Sequence, residues 1–238
     1  MKPANDEWRV LPHQPIEKLS ENVWRVLGDI PGMSLKRVMV IAKRADGQLV
    51  FHSPIALNDA AMAEVEAWGK PGFIVVPSGI HRLDAPRYKK RYSSIKVFAP
   101  SGSRSKVQEL LAVDGTYAEF PPDAAVRLEA VAGLGDQEGA MWVRSNDGQT
   151  LVLNDCVFNM DTKTDFLGWL FTTVFGSAPG PRVSRLAKMT LVKDKPAFKA
   201  DLLRFAEGPD LVRLIVAHEK VASGPDAKAA LRQAATYL

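Results

Sequence analysis

The sequence is poor in cysteine and has no long apolar run, and each absence excludes a class of protein. The single cysteine, Cys156, rules out an intramolecular disulfide, and its apolar surroundings predict a buried, small side chain. The longest apolar stretch, residues 166–175, is far shorter than the length of about 20 residues that a membrane-spanning helix needs. Residues 1–10 lack the apolar core of a secretory signal. We therefore expect a cytoplasmic protein without a membrane partner.

Charge is also modest. The chain has 238 residues, of which 46% are hydrophobic and 24% charged, as in an ordinary folded domain. Its formal net charge of +4 is a weak electrostatic footprint for a chain of this length, so we do not expect a nucleic-acid partner.

Two hairpins organise the sequence. Turn residues at 45–47 (ADG) and 146–148 (NDG) separate β-rich runs and predict hairpins over residues 36–51 and 140–153. We predict further strands over 73–76, 96–99, 126–131 and 211–217, and helices over 60–68, 85–92, 165–175, 197–205 and 226–238. Strands thus come in two groups, each followed by helices. This order favours an αββα sandwich over one doubly wound sheet.

Strand-end stretches, taken in order, resemble the metallo-β-lactamase superfamily. In the first half the matching stretches are VMVIA…QLVFHSP, NDAAMAEVEAW and FIVVPSGIHRLDAPRYKKRY. In the second half they are GLGDQEGAMWV, TLVLNDCVF and LIVAHEK. The resemblance implies an α/β fold, a four-layer αββα sandwich of two mixed β-sheets flanked by helices. It covers residues 23–238 as a single domain, preceded by an N-terminal extension over residues 1–22.

The metal motif of this family is incomplete in the present sequence. The family's metal loop carries three histidines and an aspartate, whereas this loop has Ser78, Ile80, Arg82 and Leu83 at those places, and His81 is its only imidazole. With so few ligands, two adjacent ions are not expected.

The remaining ligands lie in the second half. Asp155 and His218 keep the residue types of the family pattern, and the carboxylate of Asp136 replaces a histidine. The resemblance implies Asp136, Asp155 and His218 as metal ligands, with His81 turning in from its loop, and Asp155 and His218 as catalytic residues. Such a set would hold at most one zinc, manganese or iron ion. The alternative is that no metal binds, and that Asp155 and His218 only fix loops by hydrogen bonds.

Basic residues follow the metal loop. Arg87 and Arg91 share a face of the predicted helix, and guanidinium groups suit phosphate and carboxylate ligands. Because the resemblance places this region at the pocket mouth, we predict that His81, Arg82, Arg87 and Arg91 bind a small anionic molecule. The alternative is a solvated helix face.

Two other features have structural interpretations. Residues 166–175 are apolar and predict a buried core helix, although the family often has a lid or dimer surface there, which leaves a homo-oligomer open. His52 lies where the family has an acidic residue, and a histidine at a strand end is more often structural.

Two functional hypotheses follow. The first is a hydrolase of an anionic ester, thioester or phosphoester that uses at most one metal ion. The second is a metal-free protein that binds a small anion and has lost catalysis, since the fold alone does not determine function.

Overall fold

Two mixed β-sheets form the centre of the molecule, and each half of the chain supplies one of them. The computed structural model describes residues 6–238. The first sheet contains, in spatial order, β1 (Glu17–Lys18), β2 (Val23–Ile30), β3 (Met33–Lys43), β4 (Gln48–His52), β5 (Lys70–Val75), β6 (Lys96–Ala99) and β7 (Gly115–Thr116). The second sheet contains β8 (Val126–Ala130), β9 (Gly139–Ser145), β10 (Gly148–Val152), β11 (Leu211–Ile215) and β12 (Val221–Ser223). The predicted sandwich of two mixed sheets is confirmed.

The directions of the strands place several loops together at the edges of the two sheets. In the first sheet β4, β5 and β6 run parallel to one another, and in the second sheet β10 and β11 are parallel neighbours. Parallel strands end at the same edge of a sheet, so the loops that follow β5, β10 and β11 are grouped at sheet edges rather than scattered.

Helices cover the outer faces of both sheets. They are α1 (Asp59–Trp68), α2 (Ala85–Arg91), α3 (Arg104–Gln108), α4 (Phe166–Trp169), α5 (Arg185–Thr190), α6 (Lys195–Glu207) and α7 (Pro225–Ala235), with 3₁₀ turns at Ser101–Ser103 and Tyr117–Glu119. Met62 of α1 and Tyr88 of α2 pack on the first sheet, whereas Phe198 of α6 and Leu231 of α7 pack on the second. The result is a four-layer αββα sandwich.

Alternation along β3 shows how the sequence specifies these layers. Val38, Val40 and Ala42 face the other sheet, and Met39 and Ile41 between them face the helices. A strand that is apolar on both faces is expected where both faces are covered. The same strand pairs with β2, which was not predicted, as well as with the predicted partner β4.

Most local predictions are confirmed, including both hairpins and α1. The carboxamide of Asn58 caps α1 by accepting from the backbone N–H of Ala61, and the only cysteine, Cys156, is buried. No helix within residues 6–238 is long and apolar enough to cross a membrane. Within the predicted N-terminal extension, residues 1–5 lie outside the described residues, while the indole N–H of Trp8 donates to the carbonyl of Leu57 at 3.0 Å.

The predicted core helix at 166–175 is helical but not buried. It consists of α4 followed by a π-helical turn, Leu170–Val174. Phe166 is 74% exposed, and Leu167, Trp169 and Val174 are also exposed. The prediction of burial is wrong because the segment rests on the domain by one side only, through Thr172 and Phe171, and no other part of residues 6–238 covers its outer side.

Candidate metal centre and its cavity

Three loops at strand ends bring two histidines and an aspartate together. His81 lies on the loop between β5 and α2, Asp155 follows β10, and His218 follows β11. The Nε2 atom of His81 is 2.9 Å from Oδ2 of Asp155, and Nε2 of His218 is 3.3 Å from Oδ1 of the same carboxylate. One nitrogen or oxygen atom from each of the three residues lies within 4.8 Å of the others. We call His81, Asp155 and His218 the histidine–aspartate cluster.

The tautomer of His218 is fixed by the protein. Its Nδ1 atom is 2.6 Å from the carbonyl oxygen of Lys36, and because a carbonyl can only accept, Nδ1 carries the proton. In neutral His218 the Nε2 atom is therefore a lone pair directed toward Asp155. Burial lowers the pKa of His218, but the hydrogen bond and the charge of Asp155 outweigh it and raise the pKa above its ordinary value.

Asp155 is held as a carboxylate between two imidazoles. Burial raises its pKa, but His81 and His218 outweigh burial and hold the pKa well below its ordinary value. Its buried Oδ1 atom lies 3.3 Å from Nε2 of His218. A buried carboxylate oxygen in this position is satisfied either by a proton on the facing imidazole or by a metal ion. Two imidazoles and one carboxylate are ligands that zinc accepts, and three protein ligands leave a coordination position open.

Solved structures resemble this fold over nearly all of its length. No family model and no curated protein sequence matches the chain. The metallo-β-lactamase FIM-1 from Pseudomonas aeruginosa, in its mono-zinc form, superposes with a TM-score of 0.61 at 11% identity, covering 95% of this chain and 96% of that one. The chain has the metallo-β-lactamase fold.

Two further structures agree. The metallo-β-lactamase from Pontibacter korlensis gives a TM-score of 0.61 at 11% identity, covering 95% of this chain and 100% of that one. The enzyme from Erythrobacter litoralis, with β-mercaptoethanol in its active site, gives 0.60 at 16% identity, covering 94% and 96%. Identities this low establish the fold alone.

Asp136, predicted as the third ligand, lies apart from the cluster. Its Oδ2 atom accepts from the hydroxyl of Ser101 at 3.2 Å, and its carbonyl accepts from the backbone N–H of Gly102 at 2.9 Å. This second contact joins two loops that are distant in sequence, and it holds Asp136 in a backbone conformation with φ of +54°. Asp136 therefore lines a different cavity, of about 330 Å³. In the metallo-β-lactamase fold of this chain, the structure groups His81 rather than Asp136 with Asp155 and His218.

Glu138 is a buried residue of the site that sequence reasoning did not find. Its carboxylate accepts from Nδ2 of Asn154 at 2.8 Å, from the backbone N–H of Cys156 at 2.9 Å and from that of Asp155 at 3.3 Å. Burial, together with the nearby charge of Asp155, raises the pKa of Glu138 to about 8. This side chain fixes the turn that carries Asp155.

A second buried imidazole lies near the cluster. His52 ends β4, and burial, with a smaller contribution from the charge of His81, lowers its pKa to about 3. Its Nε2 atom has no hydrogen-bond partner among the described residues. His52 is therefore a neutral group in the folded protein.

The predicted anion-binding arginines are not brought together around the cluster. Arg82 contacts the carboxylate of Glu109 at 3.1 Å and the carbonyl of Lys106, and Arg91 contacts Glu66 at 3.0 Å. Arg87 is buried, because its guanidinium pairs with Asp84 three residues earlier and donates to the carbonyl of Arg9 at 3.0 Å. The Asp84–Arg87 spacing was the signal that could have revealed an internal role for Arg87.

A cavity of about 390 Å³ adjoins the cluster, and Asp155 forms part of its wall. The rings of Phe158 and Phe171 also line it. Phe158 stacks on the imidazole of His218, with 5.6 Å between ring centroids and an interplanar angle of 11°. The basic side chain of its wall, within residues 6–238, is that of Lys106. A molecule in this cavity would lie directly against the histidine–aspartate cluster.

Proposed function

We infer that the chain is a hydrolase that uses at most one metal ion, held by His81, Asp155 and His218, and that acts on an ester, thioester or phosphoester of a small anionic molecule. The observation that carries this proposal is the convergence of two imidazoles and a carboxylate, whose ligand atoms all lie within 4.8 Å of one another. Because a metal ion displaces protons from its ligands, this group can exchange the imidazole protons for one shared ion.

The ion, when bound, would supply Lewis-acid activation of water and of a carbonyl or phosphoryl oxygen. The chain's own residues would prepare the site. Lys36 sets the His218 tautomer through its carbonyl, and Glu138 fixes the Asp155 turn with three hydrogen bonds. Such outer contacts orient metal ligands and tune their basicity.

Lys106 would receive the negative charge of the substrate. Its ammonium group lies on the cavity wall and is 56% exposed, so it can reach a ligand even though it contacts Glu109 at 2.9 Å. Arg82, whose guanidinium contacts the carbonyl of Lys106, adds positive charge to the same rim. Arg87 is buried against Asp84, and Arg91 pairs with Glu66 on the surface, so neither is part of the proposed site.

A metal titration tests the proposal. Protein stripped with a chelator should bind one zinc ion per chain in a calorimetric titration, and competition should favour zinc over manganese, because two imidazoles are softer ligands than oxygens. The variants His81→Ala and His218→Ala should each lose at least 100-fold in zinc affinity. His13→Ala is the matched control, since His13 lies away from the cluster and contacts the N–H of Asn58.

Activity is measured on the zinc-loaded protein with panels of carboxylic esters, thioesters and phosphoesters. Two ions per chain would show that other ligands had been overlooked. No bound ion, with unchanged folding of both histidine variants, would overturn the proposal and leave a metal-free binding protein.

A further inference from the structure

We propose that the cavity beside the cluster binds an unbranched apolar acyl chain of about four to eight carbons, so that the substrate is an acyl ester or thioester. This inference rests on the proposed function for its chemistry, but not for the binding of the chain.

The apolar wall begins at the cluster itself. Phe158 is buried and stacks on His218, and Phe171 meets the same imidazole edge-on with 5.9 Å between ring centroids. Leu186 and Leu191 line the cavity farther along. A group attached to a carbonyl that reacts at the cluster would therefore lie on aromatic and aliphatic carbon, where burial of apolar surface is favourable.

The hydroxyl groups of this wall and the buried Glu138 already have partners within the protein. The hydroxyl of Ser184 accepts from the N–H of Ala187 at 3.0 Å, and that of Ser103 donates to the carbonyl of Gln137 at 2.7 Å. Glu138 has its three donors. Groups that already have partners do not require a hydrogen bond from a ligand, so an alkyl chain can cover them without the cost of an unpaired buried polar atom.

The size of the cavity limits the chain. Small-molecule sites range from about 300 to 1,000 Å³, and this cavity, at about 390 Å³, is near the lower limit. Ile80, which lines the cavity and is 74% exposed, extends its apolar wall toward solvent. A short to medium chain fits, whereas a long chain would extend past Ile80 into water.

A chain-length series tests the inference with and without the metal. Butan-1-ol, hexan-1-ol, octan-1-ol and decan-1-ol are titrated into zinc-free protein by calorimetry, and the matching alkanoates into zinc-loaded protein. Burial of each methylene contributes about 0.8 kcal/mol, so affinity should rise about four-fold per added carbon. Beyond eight carbons the gain should stop. An absence of chain-length dependence in both series would overturn the inference.

Two variants of one helix locate the binding. Leu186→Gln should weaken octan-1-ol binding by about ten-fold, because it places an amide in the apolar wall. Met189→Gln is the matched control on α5, since Met189 is 81% exposed and does not line the cavity. Equal effects of the two variants would count against the cavity. Octan-1-ol binding without any zinc binding would refute the proposed function and leave this inference standing, whereas zinc-dependent hydrolysis without chain-length preference would do the reverse.

Discussion

Asp84 and Asp155 are both buried carboxylates next to the loop that carries His81, yet they are neutralised in different ways. Asp84 is 0% exposed; its Oδ1 pairs with Arg87, and its Oδ2 lies 2.6 Å from the guanidinium of Arg37 and accepts from the N–H of Ala56 at 3.0 Å. Asp155 faces two imidazoles, with Nε2 of His81 2.9 Å from Oδ2 and Nε2 of His218 3.3 Å from Oδ1. Guanidinium groups keep their charge, whereas imidazoles exchange a proton for a metal near neutral pH.

The difference separates a structural carboxylate from a candidate ligand. A carboxylate between two permanent cations has no further cation to attract, and its removal leaves buried positive charge. A carboxylate between two histidines can exchange imidazolium protons for one ion. Burial and charge alone do not distinguish the two cases, whereas the neutralising groups do: guanidinium groups surround Asp84 and imidazoles surround Asp155.

The largest expected difference between the two carboxylates is in metal binding. Asp155→Asn should abolish zinc binding in a calorimetric titration, because the variant removes the only carboxylate of the cluster. Its free energy of unfolding should fall by only about 1.5–3 kcal/mol, the loss expected for hydrogen bonds to a charged group. Retention of zinc by this variant, or a loss of stability as large as that of an Asp84 variant, would make Asp155 structural.

Asp84→Asn should have the opposite profile. It leaves Arg37 and Arg87 without their carboxylate, and breaking a buried ion pair in this way costs about 3–5 kcal/mol. Urea unfolding measures this loss, and zinc titration of the folded fraction should give the wild-type affinity. If zinc affinity fell together with stability, the two carboxylates would belong to one site, and Asp84 would not be a purely structural residue.

A variant of Glu138 tests whether the hydrogen bonds to the turn of Asp155 contribute to zinc binding. Glu138→Gln keeps the shape but replaces an acceptor with an amide that also donates, opposite the N–H groups of Asp155 and Cys156. Zinc affinity should fall about 10- to 100-fold, as is typical when an outer partner of a metal ligand is changed. Glu207→Gln on an exposed helix end is the control. Unchanged zinc affinity with reduced stability would limit Glu138 to folding.

The sequence was sufficient for the fold and for two members of the cluster. Turn residues and β-branched runs predicted both hairpins, and the strand-end positions of Asp155 and His218 predicted that they would meet. Asp136 was misplaced because its side chain is turned by a backbone contact with Gly102, which belongs to another loop. Such a contact between distant segments leaves no local pattern.

Glu138 could not be found for a related reason. Its donors lie 16 to 18 positions further along the chain, on the turn at residues 154–156, so nothing next to Glu138 marks it as buried. The arginines were misjudged differently. Helix periodicity placed Arg87 and Arg91 on one face, but it did not show that Asp84 and the carbonyl of Arg9 occupy the guanidinium of Arg87.

The smallest expected effect is on the pH dependence of stability, and it is due to His52, the buried imidazole near the histidine–aspartate cluster. His52 is neutral when folded, with a pKa lowered by burial to about 3, against an ordinary value of 6.5. Below pH 6.5 the unfolded chain binds a proton that the folded protein does not, so stability is full above that pH and falls as pH drops toward 3. Between pH 6 and pH 5 the loss of stability from this group should be about 1 kcal/mol.

Urea unfolding of zinc-free wild type and His52→Gln at both pH values isolates this loss. Glu138 and His218, whose raised pKa values act in the opposite sense, are common to both proteins. The variant should lose about 1 kcal/mol less than the wild type over this interval. Tyr117→Phe is the control, since it removes a buried hydroxyl that lacks a partner and does not titrate in this range. An equal pH dependence of the free energy of unfolding in wild type and His52→Gln would show that His52 is protonated in the folded protein over this interval. The positive charge would then be distributed differently among the imidazoles near Asp155.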